Sequence, residues 1–277
     1  MKKSEKKTDK SFDEISHDYL NVVPFLVQNV GKYVSSVIPE GTVVPDYCLG
    51  GRAASTLFEE YVKNWMRENR EGLIEDSNRF LADAGCADWK LLNYVGLDTN
   101  TNESEARTMG DFYFLLEWPD GYISSEPVNI KATNGKTADN CGSWQSLAHV
   151  VFGPDVICRQ RNDFLRNLTK GTGFADRPSD YLILTFFKNT DAQKMIGSAK
   201  VSSYLTSEPE SFTINISQSF PLQLNSSRAV RIPGDVGLSS RQADISRYIV
   251  ASSAAKHNSI AASMTDAVSA LSARLAD

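Results

Sequence analysis

The segment Gly110–Thr133, GDFYFLLEWPDGYISSEPVNIKAT, constrains the fold more than any other part of the chain. Two apolar runs, Phe112–Trp118 and Val128–Ala132, flank a short stretch that contains proline, aspartate and glycine. Apolar runs of strand length around such turn-forming residues predict two strands joined as a hairpin. Asp111 opens the first strand and Lys131 lies near the end of the second. Pairing of these strands would bring a carboxylate next to an amine.

A carboxylate beside an amine in a largely apolar setting can serve a metal-dependent site that cleaves phosphodiester bonds. Asp111 is the main candidate ligand for a magnesium ion, and the backbone carbonyl of Ile130 is a second. Strand alternation places Asn129 and Lys131 on one face and Ile130 on the other, toward the core. Lys131 would orient or deprotonate the attacking water and stabilise the pentacovalent state. The alternative is a half-exposed strand whose asparagine and lysine have no chemical role.

The chain of 277 residues is long enough for one large domain or two small ones, and its 41% of hydrophobic residues suffices for a buried core. No clear boundary divides it. We therefore expect a charged tail over residues 1–11, a candidate for disorder, and a single domain over residues 12–277. No apolar run approaches membrane-spanning length, and the charged N-terminus lacks the apolar run of a signal peptide. These features favour an intracellular protein without a membrane segment.

Charge and cysteine usage narrow the function classes further. The net charge of −5 does not by itself indicate nucleic-acid binding, and four cysteines without a C-x-x-C pair argue against structural zinc. Residues 1–131 hold 14 Lys and Arg against 22 Asp and Glu, a balance of −8. Residues 132–277 hold 15 against 12, a balance of +3. An acidic first half would suit a metal site, and the second half could face phosphates.

Apolar periodicity predicts the remaining elements. Helical spacing predicts a helix over Phe12–Val37, which Pro24 could break, and a second over Ser55–Glu68, which Ser55 or Thr56 would cap. Shorter helices are predicted over residues 73–86 and 88–97 and after Ser143. One or two more are predicted from Ser239 onward. Continuous apolar runs predict strands over Asp180–Lys188, Phe212–Ile216 and Leu222–Leu224.

The order of these parts resembles that of the PD-(D/E)xK nucleases, specifically type II restriction endonucleases of the EcoRV/HincII-like kind. Asp111 takes the place of the family's metal-binding aspartate, and Asn129-Ile130-Lys131 takes that of the (D/E)-x-K strand. The segment Ser55–Glu59 is similar to the helix that presents an accessory acidic residue, which corresponds to Glu59. The resemblance covers roughly residues 50–150.

The resemblance implies an α/β fold with a central mixed sheet of about five strands, helices on both faces, and Asp111 and Lys131 at one edge. It implies Mg²⁺-dependent, sequence-specific hydrolysis of double-stranded DNA that leaves 5′-phosphate ends, in a prokaryotic cytoplasm. Palindromic sites imply a homodimer, with the C-terminal helical region or the N-terminal helix as interface. The catalytic set would be Asp111, Asn129, Lys131 and Glu59, and the ligands would be Asp111, the Ile130 carbonyl and Asn129.

One departure from the family pattern divides the functional hypotheses. Asn129 stands where the family has a second acid, and an amide oxygen can ligate magnesium but adds no negative charge. The first hypothesis is an active enzyme, for which a site with a single metal ion is one possibility. A catalytically inert DNA-binding protein and a DNA repair nuclease are the alternatives.

The resemblance also suggests where DNA is read. The loop after the catalytic strand would lie near the groove, and its candidate contacts are Lys136, Thr137, Asp139, Asn140, Ser143 and Gln145. Basic residues that follow could contact phosphates, namely Arg159, Arg161, Arg166 and Lys170. For each of these residues a solvated surface position is the ordinary alternative.

Overall fold

The computed structural model describes residues 9–37, 51–97, 109–133, 139–189, 194–195, 200–205, 212–214, 222–225 and 238–276. These residues form a mixed α/β fold. Six helices lie in them: α1 (Phe12–Val37), α2 (Gly51–Glu68), α3 (Arg70–Asp83), α4 (Trp144–Phe152), α5 (Arg161–Thr169) and α6 (Leu238–Ala276). The strands are β1 (Lys90–Val95), β2 (Phe112–Glu117), β3 (Ile123–Thr133), β4 (Asp139–Gly142), β5 (Leu182–Asn189), β6 (Lys194–Met195), β7 (Lys200–Ser203), β8 (Phe212–Ile214) and β9 (Leu222–Asn225).

The main sheet is mixed and carries the predicted hairpin in its centre. Strands β1, β2 and β3 pair antiparallel, and β5 then pairs parallel to β3. Strands β6 and β7 both pair antiparallel with β5. One edge of β5 is paired with β3, so β6 and β7 both pair with its other edge, at different points along its length. The sheet is therefore five strands wide at any level. A second sheet has the order β4-β9-β8.

Helices flank the main sheet and bury one continuous apolar core. Alternation in β2 and β3 turns Phe112, Phe114, Val128 and Ile130 into this core. Helix α1 packs on this face, as the hydrogen bond from its Tyr19 hydroxyl to a β3 side chain shows. Helix α3 packs against α1 and β1. Because β5 pairs parallel with β3, both strands have a neighbour on each side and lie inside the sheet. The candidate catalytic strand is therefore held on both sides.

Several predicted elements are confirmed. The hairpin is present, the strand predicted over Asp180–Lys188 is β5, and the two short strands predicted after it are β8 and β9. Ser143 caps α4, since its side chain accepts a hydrogen bond from the Ser146 amide at 3.1 Å. Helix α1 runs through Pro24 without a break. The region from Ser239 onward is a single helix.

Two local predictions are wrong. The segment predicted as a helix over residues 88–97 contains strand β1 (Lys90–Val95) instead. A bulge between Leu91 and Asn93 interrupts the alternation of this strand. The buried residues Leu91 and Tyr94 are consequently three apart, which imitates helical spacing. Helix α2 begins at Gly51, so Ser55 and Thr56 lie inside it and do not cap it.

The end of the predicted tail contacts the folded domain. Residues 1–8 lie outside the described part of the chain. Lys10 contacts Asp18 at 2.9 Å and Asp88 at 2.7 Å, which ties the start of α1 to the turn before β1. The Ser11 hydroxyl accepts from the Glu14 amide, and the Glu14 carboxylate accepts from the Ser11 amide. This reciprocal cap starts α1. Among the described residues, no helix is long and apolar enough to cross a membrane.

Two carboxyl groups are buried at the end of the sheet where β3 begins. Glu126 accepts a hydrogen bond from the Tyr19 hydroxyl at 2.6 Å, and Asp180 accepts from the Leu205 amide at 3.0 Å. Burial raises the pKa of Glu126 from 4.5 to about 7, against the hydrogen bonds from Ser124 and Tyr19 that lower it. Burial likewise raises the pKa of Asp180, to about 6. Folding is therefore coupled to proton uptake at this end.

The substitution Glu126→Gln tests this coupling. The folded-state pKa lies above the ordinary value, so the stabilisation is complete below the unfolded-state pKa of 4.5 and is lost as the pH rises through about 7. Between about pH 5 and about pH 8, we expect the free energy of unfolding of the native chain to fall by roughly 2–3 kcal/mol more than that of E126Q. Urea denaturation at each pH measures the difference. Equal pH dependence of the two proteins would contradict the assignment.

Candidate active site

Asp111 is placed by the residues on either side of it. The Tyr113 hydroxyl accepts hydrogen bonds from the backbone amides of Met109 at 2.8 Å and Gly110 at 3.3 Å. Gly110 lies against β3 so closely that an added Cβ would meet the Val128 nitrogen at 2.8 Å and its carbonyl oxygen at 2.9 Å. Glycine is therefore required before the aspartate because of space. The contacts of Gly110 and Tyr113 therefore fix the backbone just before Asp111 against β3.

The Asp111 carboxylate completes the pairing of β3. Its Oδ2 accepts a hydrogen bond from the Ile130 amide at 2.6 Å, and the Asp111 amide donates to the Val128 carbonyl at 2.9 Å. Val128 and Ile130 thus direct their backbone groups toward β2, and the N–H and C=O of one strand residue point to the same side. The Ile130 carbonyl consequently points toward the side of Asp111, and its role as a second oxygen ligand stays a prediction.

Lys131 and Glu59 meet across the site. The Lys131 Nζ lies 3.2 Å from Glu59 Oε1, with 33% of the lysine side chain and 10% of the glutamate side chain exposed. Burial raises the pKa of Glu59 to about 7, although Lys131 opposes the shift. Burial also raises the pKa of Asp111, and again Lys131 is the largest opposing influence. Helix α2 therefore brings Glu59, the predicted accessory acid, into contact with the lysine of the hairpin.

Two further charged residues of α2 belong to this cluster, and sequence reasoning missed their part in it. Lys63 is buried, with 1% of its side chain exposed, and its Nζ lies 3.5 Å from Glu60 Oε1. Lys63 lowers and Glu60 raises the pKa of Asp111, so both lie within electrostatic reach of the carboxylate. The position of Lys63, four residues after Glu59 and three after Glu60, was the available signal, because residues three and four apart share a helix face.

Asn129 is the least satisfied residue of the site. Its Oδ1 is buried and has no hydrogen-bond partner. Strand alternation places its side chain on the face of Lys131. A buried amide oxygen without a donor costs free energy unless something else binds it. The role of this oxygen atom as a metal ligand stays a prediction, and the structure shows only that no protein group in the described part of the chain binds it.

The oxygen atoms present suit a magnesium ion. Asp111 contributes a carboxylate, Ile130 a carbonyl on the same side, and Asn129 an unpartnered amide oxygen. Mg²⁺ often binds to one or two carboxylates and keeps several waters, which leaves coordination positions for substrate phosphate. Within the described ranges, no three or more Asp, Glu, His and Cys residues are grouped so that they could hold a metal ion. Of the three candidate oxygen ligands, only the Asp111 carboxylate carries a negative charge.

The position of the site differs from one prediction. Asp111 and Lys131 were expected at one edge of the sheet. They lie at one end of the inner strands β2 and β3, with β1 outside β2 and β5 beside β3. The reason is the parallel pairing of β5, which covers the open side of the hairpin.

Only some of the candidate DNA-reading residues lie in the described part of the chain. Lys136 and Thr137 lie outside the described residues. Asp139 and Asn140 belong to β4, which pairs with β9. This strand replaces part of the expected polar loop. The small sheet thus follows directly after the candidate catalytic strand.

Two other residues predicted to read DNA already have partners within the protein. Ser143 caps α4. The Gln145 side chain donates to the Val156 carbonyl at 2.9 Å and accepts from the Cys158 amide at 2.8 Å. Both groups of Gln145 fix the chain between α4 and α5. DNA contact by this side chain would require these bonds to break.

The candidate phosphate contacts lie around α5. Arg159 is exposed and Arg161 half-buried, and α5 starts at Arg161. Arg166 lies 3.5 Å from Asp163, and Lys170 is exposed at the end of the helix. These positions leave the basic groups near the protein surface, where a phosphate backbone can approach.

A scan against protein-family models finds no match to the chain, and a search of curated protein sequences finds none either.

The substitution Gly110→Ala tests how Asp111 is placed. The new methyl group would press on the β3 backbone, so we expect a loss of about 1–3 kcal/mol in the free energy of unfolding. Gly173→Ala is the matched control, because an added Cβ there meets nothing within 4 Å. It should change stability by no more than about 0.5 kcal/mol. Thermal unfolding measures both, and an equally stable G110A would contradict the close approach.

Proposed function

We propose that the chain is a Mg²⁺-dependent, sequence-specific endonuclease that hydrolyses double-stranded DNA, with a restriction-endonuclease-like fold of the type II kind. The observation that carries the proposal is the meeting of Asp111, Lys131 and Glu59 from three separate segments. The sequence resemblance predicts a role for each of these three residues. The mixed sheet, with the acid and the lysine on neighbouring inner strands, is compatible with this fold.

The side chains present can each perform a part of the hydrolysis. A bound magnesium ion would polarise the phosphate and lower the pKa of an attacking water. Asp111, the Ile130 carbonyl and Asn129 would hold it. Lys131 would place its positive charge beside the phosphate as the pentacovalent state forms. Glu59 would keep the Lys131 amine at the site between turnovers, since the two groups are already in contact.

One observation favours the rival function, a catalytically inert DNA-binding protein. The neutral Asn129 replaces an acid, and the Lys131 amine is already paired with Glu59. If the substrate does not displace this pair, the lysine cannot reach a phosphate. A DNA repair nuclease would use the same site and differ in the DNA structure it selects.

Incubation of the purified chain with plasmid DNA and Mg²⁺ tests the proposal and separates the three functions. Discrete fragments are expected of a sequence-specific endonuclease. Cuts restricted to mismatches or branches would indicate a repair nuclease. A gel shift without any cleavage would indicate the inert binder and overturn the proposed activity.

Replacement of Lys131 by alanine should reduce the cleavage rate by roughly 10²-fold or more, because it removes the charge that stabilises the transition state. Lys90→Ala is the matched control, since Lys90 is an exposed lysine at the start of β1. Circular dichroism should show both variants folded. Full activity of K131A would exclude the proposed role of the lysine.

We also propose a homodimer, with the second half of α6 as its interface. Every described side chain from residue 254 to residue 268 is exposed, including Met264 at 64% and Val268 at 62%. The first half is buried through residues such as Ile245 and Ile249. Exposed apolar side chains one turn apart on a helix are typical of a helix that pairs with another.

The double substitution Met264→Asp and Val268→Asp should convert the dimer to a monomer, because it places charge on the apolar stripe. Sedimentation equilibrium measures the mass. Asn258→Asp, an exposed change on the same helix, should leave the dimer intact. A dimer that survives the double substitution would exclude this interface.

A further inference from the structure

The Lys131 amine has to leave Glu59 before it can contact a phosphate. Its Nζ lies 3.2 Å from Glu59 Oε1, and only 10% of the glutamate side chain is exposed. A carboxylate with so little access to water is costly to leave without a positive charge beside it. Movement of Lys131 toward a substrate therefore requires another group to offset the charge of Glu59.

Lys63 is placed to do this. It follows Glu59 by four residues on α2, and side chains four apart on a helix are neighbours on one face. A glutamate that precedes the lysine is also the more favourable order for such a pair. Only 1% of the Lys63 side chain is exposed, and its charge lowers the pKa of Asp111, so this charge acts within the site.

Glu60 can release its lysine at a lower cost than Glu59 can. The Lys63 Nζ lies 3.5 Å from Glu60 Oε1, and 27% of the Glu60 side chain is exposed. Water can therefore solvate Glu60 better than it can solvate Glu59 when a lysine moves away. The two pairs thus have unequal requirements, because the more deeply buried glutamate depends more on a cation.

We propose that Lys63 is a positioning residue of the site, which takes Glu59 from Lys131 when DNA binds and so allows the Lys131 amine to contact the phosphate. This inference rests on the proposed function, because it describes how the lysine of that reaction becomes available. Lys63 itself stays inside the protein and contacts no substrate. Glu59 keeps a cation beside it before and after the exchange.

A double-mutant cycle tests the exchange without DNA. Lys131→Met and Lys63→Met keep most of the apolar stem of each lysine and remove its charge. Urea unfolding is measured at pH 9, above the value of about 7 to which burial raises the pKa of Glu59, so that the carboxylate is ionised. Either lysine alone can pair with Glu59. The double variant should therefore lose at least about tenfold more in its folding equilibrium constant than the product of the two single losses. Losses that multiply without this excess would overturn the inference.

The same cycle in an E59Q background is the matched control. A glutamine carries no charge that could be left unpaired, so the excess should disappear. Repulsion between the two lysines would also give an excess, but that excess would persist in E59Q. An excess of unchanged size in this background would therefore overturn the exchange.

Crystals of K131M show the exchanged contact directly, and they do not require the double variant to fold. The Lys63 Nζ should lie within about 4 Å of a Glu59 carboxylate oxygen, the distance of an ion pair. A Lys63 amine that remains at Glu60 and beyond this distance from Glu59 would contradict the proposal.

DNA cleavage by K63M tests the role of Lys63 in the reaction. The single-turnover cleavage rate of bound DNA should fall by about tenfold, because Glu59 then retains Lys131. The affinity for DNA, measured by gel shift, should stay within about twofold of the native value, because Lys63 contacts no substrate. A native cleavage rate in K63M, or a loss that lies entirely in DNA affinity, would exclude this role.

The exchange can fail independently of the proposed function. An excess in the cycle, in a chain that does not cut plasmid DNA, would support the pairing of Glu59 with Lys63 and reject the nuclease. Losses without an excess, in a chain that does cut, would reject the exchange and leave the nuclease standing.

Discussion

The hydrogen bond from the Ile130 amide to the Asp111 carboxylate is the interaction on which the site depends. β3 continues beyond the first residue of β2, so its last amides have no backbone partner in that strand. The Asp111 side chain supplies the missing acceptor. One carboxylate oxygen is thereby fixed to the strand that carries Asn129 and Lys131. A buried acid held in this way has little freedom, which is what a preorganised ligand requires.

Charge in the site follows from how helix α2 meets the hairpin. The helix presents Glu59, Glu60 and Lys63 on neighbouring turns, and the hairpin presents Asp111 and Lys131. When all five groups are ionised, the three carboxylates and two lysines leave one net negative charge. Burial raises the pKa of both Asp111 and Glu59, and the lysines oppose this shift. The lysines therefore limit the rise in pKa that burial imposes on these two carboxyl groups.

Much of this arrangement could be predicted from the sequence, because the information is local. The hairpin follows from two apolar runs around a turn, and the shared face of Asn129 and Lys131 follows from strand alternation. The helix predicted over residues 88–97 failed for an equally local reason, since a bulge changed the spacing of Leu91 and Tyr94. Periodicity cannot distinguish a bulged strand from a short helix.

Other features depended on contacts between distant segments. The pairing of Lys63 with Glu60 has a sequence signal, but its burial beside Asp111 does not. Gln145 has the side chain of a base-reading residue, and only the fold shows that Val156 and Cys158 occupy it. The need for Gly110 is likewise set by the β3 backbone, which lies 18 residues further along the chain at Val128.

The location of a bound cation tests the central claim most directly. Crystals of the protein soaked in Mn²⁺ give an anomalous difference peak wherever the ion binds. The account predicts one peak beside the Asp111 carboxylate, within ligand distance of the Ile130 carbonyl and the Asn129 amide oxygen. A peak elsewhere with none at Asp111, or no peak at saturating Mn²⁺, would contradict it.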